Sequence, residues 1–460
     1  MRISPVLAIA LLAGSLGVAA CSGSADDAPM PSKLIVDSDY YTLPNGLKVV
    51  LSRDTTVPTV GVGVYYHVGF RNEPRNRTGF AHLFEHMMFQ GSGNLGKLEF
   101  IKLIEDNGGL LNGSTRFDFT NYYQVVPSHT LETVLWAEAD RMKGLQIDAT
   151  NLKNQQDVVK NEVRVNVLNQ PYGTFPWIDL PMTANENWYN AHNFYGELRE
   201  LEAATLEDVS AFFKTFYAPN NSVLAIVGDF DPAKAREWTE KYFASIPPVE
   251  QPAAPDLSEP RQDKEKRASR VDKLATRPAL GIAYHVPPRW TADWYAIGLI
   301  DQILAQGRDS RLYDALVQRT GLTSDVNAGV NWGLGNMFNY EGPMLWMMAV
   351  FHDRDKPADS LLKVIDAEME LLRTTPVDSA TLDRARTKMR SQLYSIVEEF
   401  SGLGKLDLLA AFALFDNDPS KINELEDGFA AVTPEQIMKT AQEWLRPTNR
   451  TVYTVVAGAN

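Results

Sequence analysis

Apolar and polar positions follow two periods along this chain. Residues 40–51 read Tyr-Tyr-Thr-Leu-Pro-Asn-Gly-Leu-Lys-Val-Val-Leu: a strand, an Asn-Gly turn and a second strand. Residues 57–69 form another β-rich run, and its glycines predict bulges or close backbone approach. Helical spacing takes over at 81–91, and Gly91 and Gly93 close that element. A second helix is expected at 98–106, a glycine-rich turn at 108–115 and a strand at 117–126. Over 131–142, Leu131, Leu135 and Met142 interleave with Glu132, Glu138 and Asp140, the pattern of an amphipathic helix. Helices over 151–168 and 197–216 and a strand over 223–227 complete the first half.

From 247 to about 270 the chain is Pro-rich and heavily charged, which reads as a linker. Beyond it the pattern returns. Tyr65-Tyr-His-Val echoes Ala283-Tyr-His-Val, and Phe89-Gln-Gly echoes Ala305-Gln-Gly. Val223-Leu-Ala-Ile-Val-Gly parallels Tyr453-Thr-Val-Val-Ala-Gly. A long internal repeat of this kind implies two copies of one domain. The expected organisation is a leader over 1–20, a flexible tether over 21–38, a first domain over 39–246, a linker over 247–272 and a second domain over 273–460.

The chemistry is concentrated in one helix. Residues 81–91 contain His82-x-x-Glu85-His86. Positions i and i+4 lie on one helix face, so His82 and His86 can grip one ion while the Glu85 carboxylate stands beside them. Two imidazoles and a nearby base are what a hydrolytic zinc centre needs. The chain has only 7 His, so the pattern is not a by-product of a His-rich composition. A third ligand must come from elsewhere. Glu162 lies among Val158, Val159, Val163 and Val165; by itself it reads better as a solvent-facing Glu, and the need for a third ligand reverses that preference. His67 is expected to pack beneath the site as a strand histidine rather than to bind metal. Shifting by 216 residues, the distance from Phe89 to Ala305, puts Gly298, Asp301 and Gln302 where His82, Glu85 and His86 stand. The second copy has lost the motif.

Net charge is −14, which disfavours nucleic acid as a partner. Residues 6–20 form an apolar, small-residue run too short to span a membrane as a helix, and it ends at Cys21, the single cysteine. That pattern resembles a bacterial lipoprotein signal. Lipidation of Cys21, followed by Ser22, would place the chain on the outer membrane facing the periplasm, with membrane contact only through the anchor. One cysteine allows no intramolecular disulfide.

Over residues 40–458 the chain resembles the insulinase/pitrilysin family of zinc peptidases, the inverzincins, and in length the mitochondrial processing peptidase subunits. The resemblance implies an α+β fold: two similar domains, each a mostly antiparallel sheet packed with helices, enclosing a chamber. It implies one Zn²⁺ held by His82, His86 and Glu162, the last separated from His86 by 75 intervening residues as in the family. It implies Glu85 as the base that deprotonates the attacking water in peptide hydrolysis. Asn112, Gly113 and Ser114 would lie on the strand that receives the peptide by strand addition. Two positions depart from the family. Gln155 replaces a second Glu on the Glu162 helix. Residues 320–353, where an Arg and a Tyr are expected, contain no Arg or Lys, and Tyr340 stands without its Arg. These departures imply a homo- or heterodimer in which a related subunit supplies Arg and Tyr. The alternative is a zinc-retaining scaffold or assembly subunit that cleaves nothing.

Overall fold

The structure is a computed structural model that describes residues 33–399 and 402–458. The expected signal peptide and Cys21 lie outside the described residues. The first sheet contains β1 (Asp39–Thr42), β2 (Lys48–Arg53), β3 (Thr59–Tyr66), β4 (Leu110–Thr115), β5 (Thr120–Pro127) and β6 (Ser222–Gly228), in the order β1-β2-β6-β3-β5-β4. The second contains β7 (Lys266–Asp272), β8 (Ala279–His285), β9 (Asn327–Val330), β10 (Leu345–Phe351) and β11 (Arg450–Ala457), in the order β7-β11-β8-β10-β9. That order repeats β2-β6-β3-β5-β4 strand for strand. In both sheets one pair is parallel, β2 with β6 and β7 with β11, and the other repeated pairs are antiparallel. The chain is therefore α+β with two similar sheets, as the pattern predicts.

Helices of the first half include α1 (Phe80–Met87), α2 (Glu99–Asp106), α3 (Leu131–Lys143), α4 (Ala149–Val163) and α5 (Asp179–Ala184). The central strand β6, Ser-Val-Leu-Ala-Ile-Val-Gly, is buried at every position, which explains its unbroken apolar run. The cover on one face comes from the other half of the chain. Helix Leu403–Phe415 is apolar nearly all round and lies against β6 and β3. Gly61 and Gly63 make room for it: a Cβ at Gly63 would stand 2.7 Å from Leu406 Cδ2. The β3 glycines thus serve close approach, and the register of β3 runs unbroken against both neighbours. The second sheet is covered reciprocally. Phe175 and, from α5, Leu180 pack in one core with Ala279, Ala283 and Tyr453, and a Cβ at Gly281 would meet Phe175 at 2.7 Å. Each half sends a helix over the other's sheet, and from Ile35 onward the two halves pack as one compact unit.

Several expected boundaries shift. The tether ends before residue 35: Val36 is buried, and its backbone N and O both bond the Asn423 side chain, at 2.7 and 3.1 Å. The linker ends at 265, because residues 266–272 are strand β7. Its Lys266-Arg-Ala-Ser-Arg sequence looks like solvated linker but belongs to a sheet edge, where charged side chains are tolerated. The linker before it is fastened by Glu259, which accepts from the amides of Glu186 and Asn187 at 2.9 and 3.1 Å. The helix expected over 197–216 is two, Leu198–Ala203 and Leu206–Phe216, because Thr205 caps the second, accepting from Asp208 N at 3.2 Å. Of residues 108–115 only the two glycines turn, and the rest is β4.

Candidate metal centre

The start of α1 is fixed by a buried anion. The Glu73 carboxylate accepts from Gly79 N at 2.8 Å and from Ala81 N at 2.7 Å, meeting orphan amides and the positive end of the helix together. His192, stacked on Trp188, stands 3.4 Å from the same carboxylate. Burial pushes the Glu73 carboxyl up, against the pull of His192 and the two amides. Gly79 (φ +83°) and Gly196 (φ +66°) press back to back: a Cβ on Gly196 would stand 2.3 Å from Gly79 N. This contact fixes Tyr195 relative to the helix start. Phe80, Leu83, Phe84 and Met87 bury the apolar face of α1, so the histidine face is turned toward α4 and β4.

α4 begins at Asp148, which accepts from Asn151 N at 2.9 Å, and delivers Glu162 just before a π-helical segment, Arg164–Leu168. Val159 and Val163 are its buried flank; Val158 and Val165 are exposed, so the apolar surround read from the sequence is half real. His86 Nε2 lies 3.2 Å from Glu162 Oε2, and His82 Nε2 lies 3.6 Å from Glu162 Oε1. One donor atom from each of the three residues falls within 4.8 Å of the others, and among the described residues no second group of this kind exists. In a tetrahedral zinc site with bonds of about 2 Å, donor atoms sit about 3.3 Å apart, so this donor set fits the ion in type and spacing. Burial, then the neighbouring His86, pushes His82 down to about 4, which keeps it neutral and able to ligate. Glu162 is raised by its burial, but the hydrogen bonds from His86 and from the Tyr195 hydroxyl, the latter at 3.2 Å, help bring it below the usual carboxylate range.

Glu85 faces the same cavity. Burial raises its carboxyl, and Thr115 Oγ1 opposes this by donating to Oε2 at 2.8 Å. Thr115 is the last residue of β4, which pairs only with β5 and leaves its other edge open among the described residues. Gly113 faces α1 from the same strand: a Cβ there would stand 3.1 Å from Glu85 Cγ. Asn112 is exposed, and Ser114 donates to Asn121 Oδ1 at 2.6 Å on the opposite face of the strand. The cavity measures about 350 Å³, and Gly333 and Leu334 of the second half line it.

Three expectations need correction or placing. His67 is not beneath the metal cluster; it sits half-exposed past the end of β3, its Nε2 2.7 Å from Glu341 of the second half. Gln155 stays out of the cluster and donates to Asn154 Oδ1 at 2.8 Å. Tyr340 is buried in the second half, its hydroxyl accepting from Trp294 Nε1 at 3.0 Å. Thr115, Tyr195, Glu73 and Arg116 escape a reading of the sequence alone. Thr115 carries a usable signal, since it is two residues past Gly113 and shares its strand face. At the repeat-related position, Gly298, Asp301 and Gln302 lie on helix Ala292–Leu304, where Gly298 is packed under Phe429 and Met337.

Residues 48–174 match the family model described as Insulinase (Peptidase family M16), and residues 203–389 match the one described as Peptidase M16 inactive domain. The chain belongs to the insulinase family, peptidase family M16. Among curated M16 relatives, the zinc protease PqqE of Helicobacter pylori is 26% identical over 90% of this chain and 91% of its own length. The mitochondrial-processing peptidase subunit beta of Saccharomyces cerevisiae is 23% identical over 76% of this chain and 77% of its own. A crystal structure of a protease from Helicobacter pylori superposes with a TM-score of 0.83 at 26% identity, covering 92% of this chain and 100% of that one. The M16 inactive-domain structure from Pseudomonas fluorescens gives 0.80 at 18% identity, covering 92% and 98%, a likeness of fold.

Proposed function

We propose that this chain is a zinc-dependent endopeptidase acting on peptides or unfolded segments. The observation that carries the reading is the convergence of His82, His86 and Glu162 within 4.8 Å beside Glu85. Zinc bound by these residues supplies a Lewis acid and a water of lowered pKa. Glu85 then takes the proton of the attacking water and returns it to the leaving amine, and its raised pKa suits both halves of that task. The open edge of β4 offers main-chain hydrogen bonds to an extended peptide, with Asn112, Gly113 and Ser114 alongside. The complete ligand set favours this reading over a non-proteolytic scaffold.

A related subunit, in a homo- or heterodimer, is part of the proposal. The second half offers no free tyrosine hydroxyl at Tyr340, so a hydroxyl donor would come from that partner. Attachment to the outer membrane through Cys21 is proposed on residues 6–21 alone. Among the described residues no helix is long and apolar enough to cross a membrane.

The test is a pair of variants. Glu85→Gln should retain zinc and lose peptide cleavage by about 10²- to 10⁴-fold. Cleavage at the wild-type rate would end the enzymatic reading. Glu162→Gln should lower zinc content, and full occupancy would remove it as a ligand.

A further inference from the structure

The cavity beside the metal cluster also holds a cation. Arg116 directly follows β4 and lines the same cavity as His82, Glu85 and Glu162. It also walls a neighbouring polar recess of about 430 Å³, and Ser114, Arg116 and Gly333 are common to both, so the two form one cleft. Its nearby counterpart Arg71 is held in an ion pair: buried, it donates from Nη1 to both Asp118 oxygens at 2.9 and 3.2 Å and from Nη2 to the Pro343 carbonyl. Arg116 is different. Among the described residues it forms no ion pair and makes one hydrogen bond, Nη1 to the main-chain carbonyl of Leu334 at 2.8 Å. A guanidinium has five N–H donors, so most of its capacity is unspent.

The partner it has chosen is informative. A main-chain carbonyl is the group that a peptide substrate would present, and Arg116 stands at the end of the open strand along which such a peptide would lie. The Leu334 turn is braced internally, with Gly333 at φ +95° and Asn331 Nδ2 donating to Asn336 O at 3.1 Å, and it rests on Trp177 of the first half. Farther along, the same loop is anchored to the first half by Glu341 N donating to Asp118 Oδ2 at 2.8 Å. Releasing Arg116 breaks one hydrogen bond at the tip and leaves the Asp118 anchor at the base intact.

We propose that Arg116 binds a main-chain carbonyl of the substrate peptide, and that the Leu334 carbonyl is its place-holder in the peptide-free chain. This rests on the peptidase reading above. It assigns to the first half a cation that the second half lacks over residues 320–353.

Steady-state kinetics on a fluorogenic twelve-residue peptide test the binding role, with zinc content and thermal melting as controls. Arg116→Gln should raise KM about tenfold or more at unchanged zinc content, and Arg116→Lys should recover part of the loss. Hydrogen–deuterium exchange on the Glu85→Gln protein tests the place-holder: saturating peptide should raise exchange at residues 333–336. A wild-type KM in Arg116→Gln, with cleavage intact, overturns this inference and leaves the peptidase reading standing. Unchanged exchange at 333–336 overturns the place-holder. A wild-type chain that neither binds nor cleaves the peptide overturns both readings.

Discussion

Thr115 Oγ1 donates to Glu85 Oε2 across 2.8 Å, from the last residue of a sheet edge to the middle of a helix. The bond does two things. It holds the carboxylate in one rotamer beside the metal cluster, and it offsets the burial that would otherwise favour the protonated form. Thr115→Val keeps the shape and removes the donor. The expected result is a fall in kcat of about tenfold, in line with one hydrogen bond to a charged group, with KM and zinc content near wild type. Unchanged kcat in Thr115→Val would show that Glu85 is positioned by packing alone.

The parts of this site that sequence reveals are the local ones. His82, Glu85 and His86 share a helix face by spacing alone, and no fold is needed to see that they can act together. Glu162 comes from a distant helix and is reached only through the need for a third ligand and the family spacing. Thr115 and Tyr195 sit next to Ser114 and Gly196, in stretches that read as ordinary turn chemistry, and their roles exist only once β4 and α4 flank α1. That the two sheets share one strand order is implicit in the repeat. The exchange of helices between the halves is not, because Gly63 and Leu406 are complementary only in three dimensions. Strand β7 is hidden because a charged edge strand and a charged linker have the same composition.

The helix exchange makes the halves interdependent, and Gly63 is where this can be measured. A Cβ at Gly63 would stand 2.7 Å from Leu406 Cδ2 and 2.9 Å from Tyr65 Cε2, and both side chains are buried. Neither can swing into solvent to make room. Gly63→Ala should destabilise the chain by about 1–3 kcal/mol through overpacking. Leu406→Ala alone should cost about 2–5 kcal/mol through its cavity. Together they should cost less than the sum, by about 1 kcal/mol, because the new methyl occupies space that the leucine vacates. Denaturant melts of the three variants decide it, and strict additivity would place the close approach elsewhere.

Asp301 occupies the position that Glu85 holds in the first half, and there it is a buried carboxyl that belongs to no metal-ligating group among the described residues. It accepts from Trp346 Nε1 at 2.6 Å and from Gln306 Nε2 at 3.0 Å, yet burial still pushes it up to about 6. A folded-state pKa above the unfolded value means that folding favours the protonated form. The stability this confers is fully present below the unfolded pKa of about 3.9 and is lost as pH rises through about 6. The loss amounts to about 3 kcal/mol at most. Asp301→Asn keeps an oxygen acceptor and cannot ionise. It should therefore match the wild type near pH 4 and exceed its stability at pH 8, with the gap opening between about pH 4 and 6. Denaturant melts of both proteins across that range measure the gap directly, and a gap independent of pH would mean that Asp301 does not titrate there.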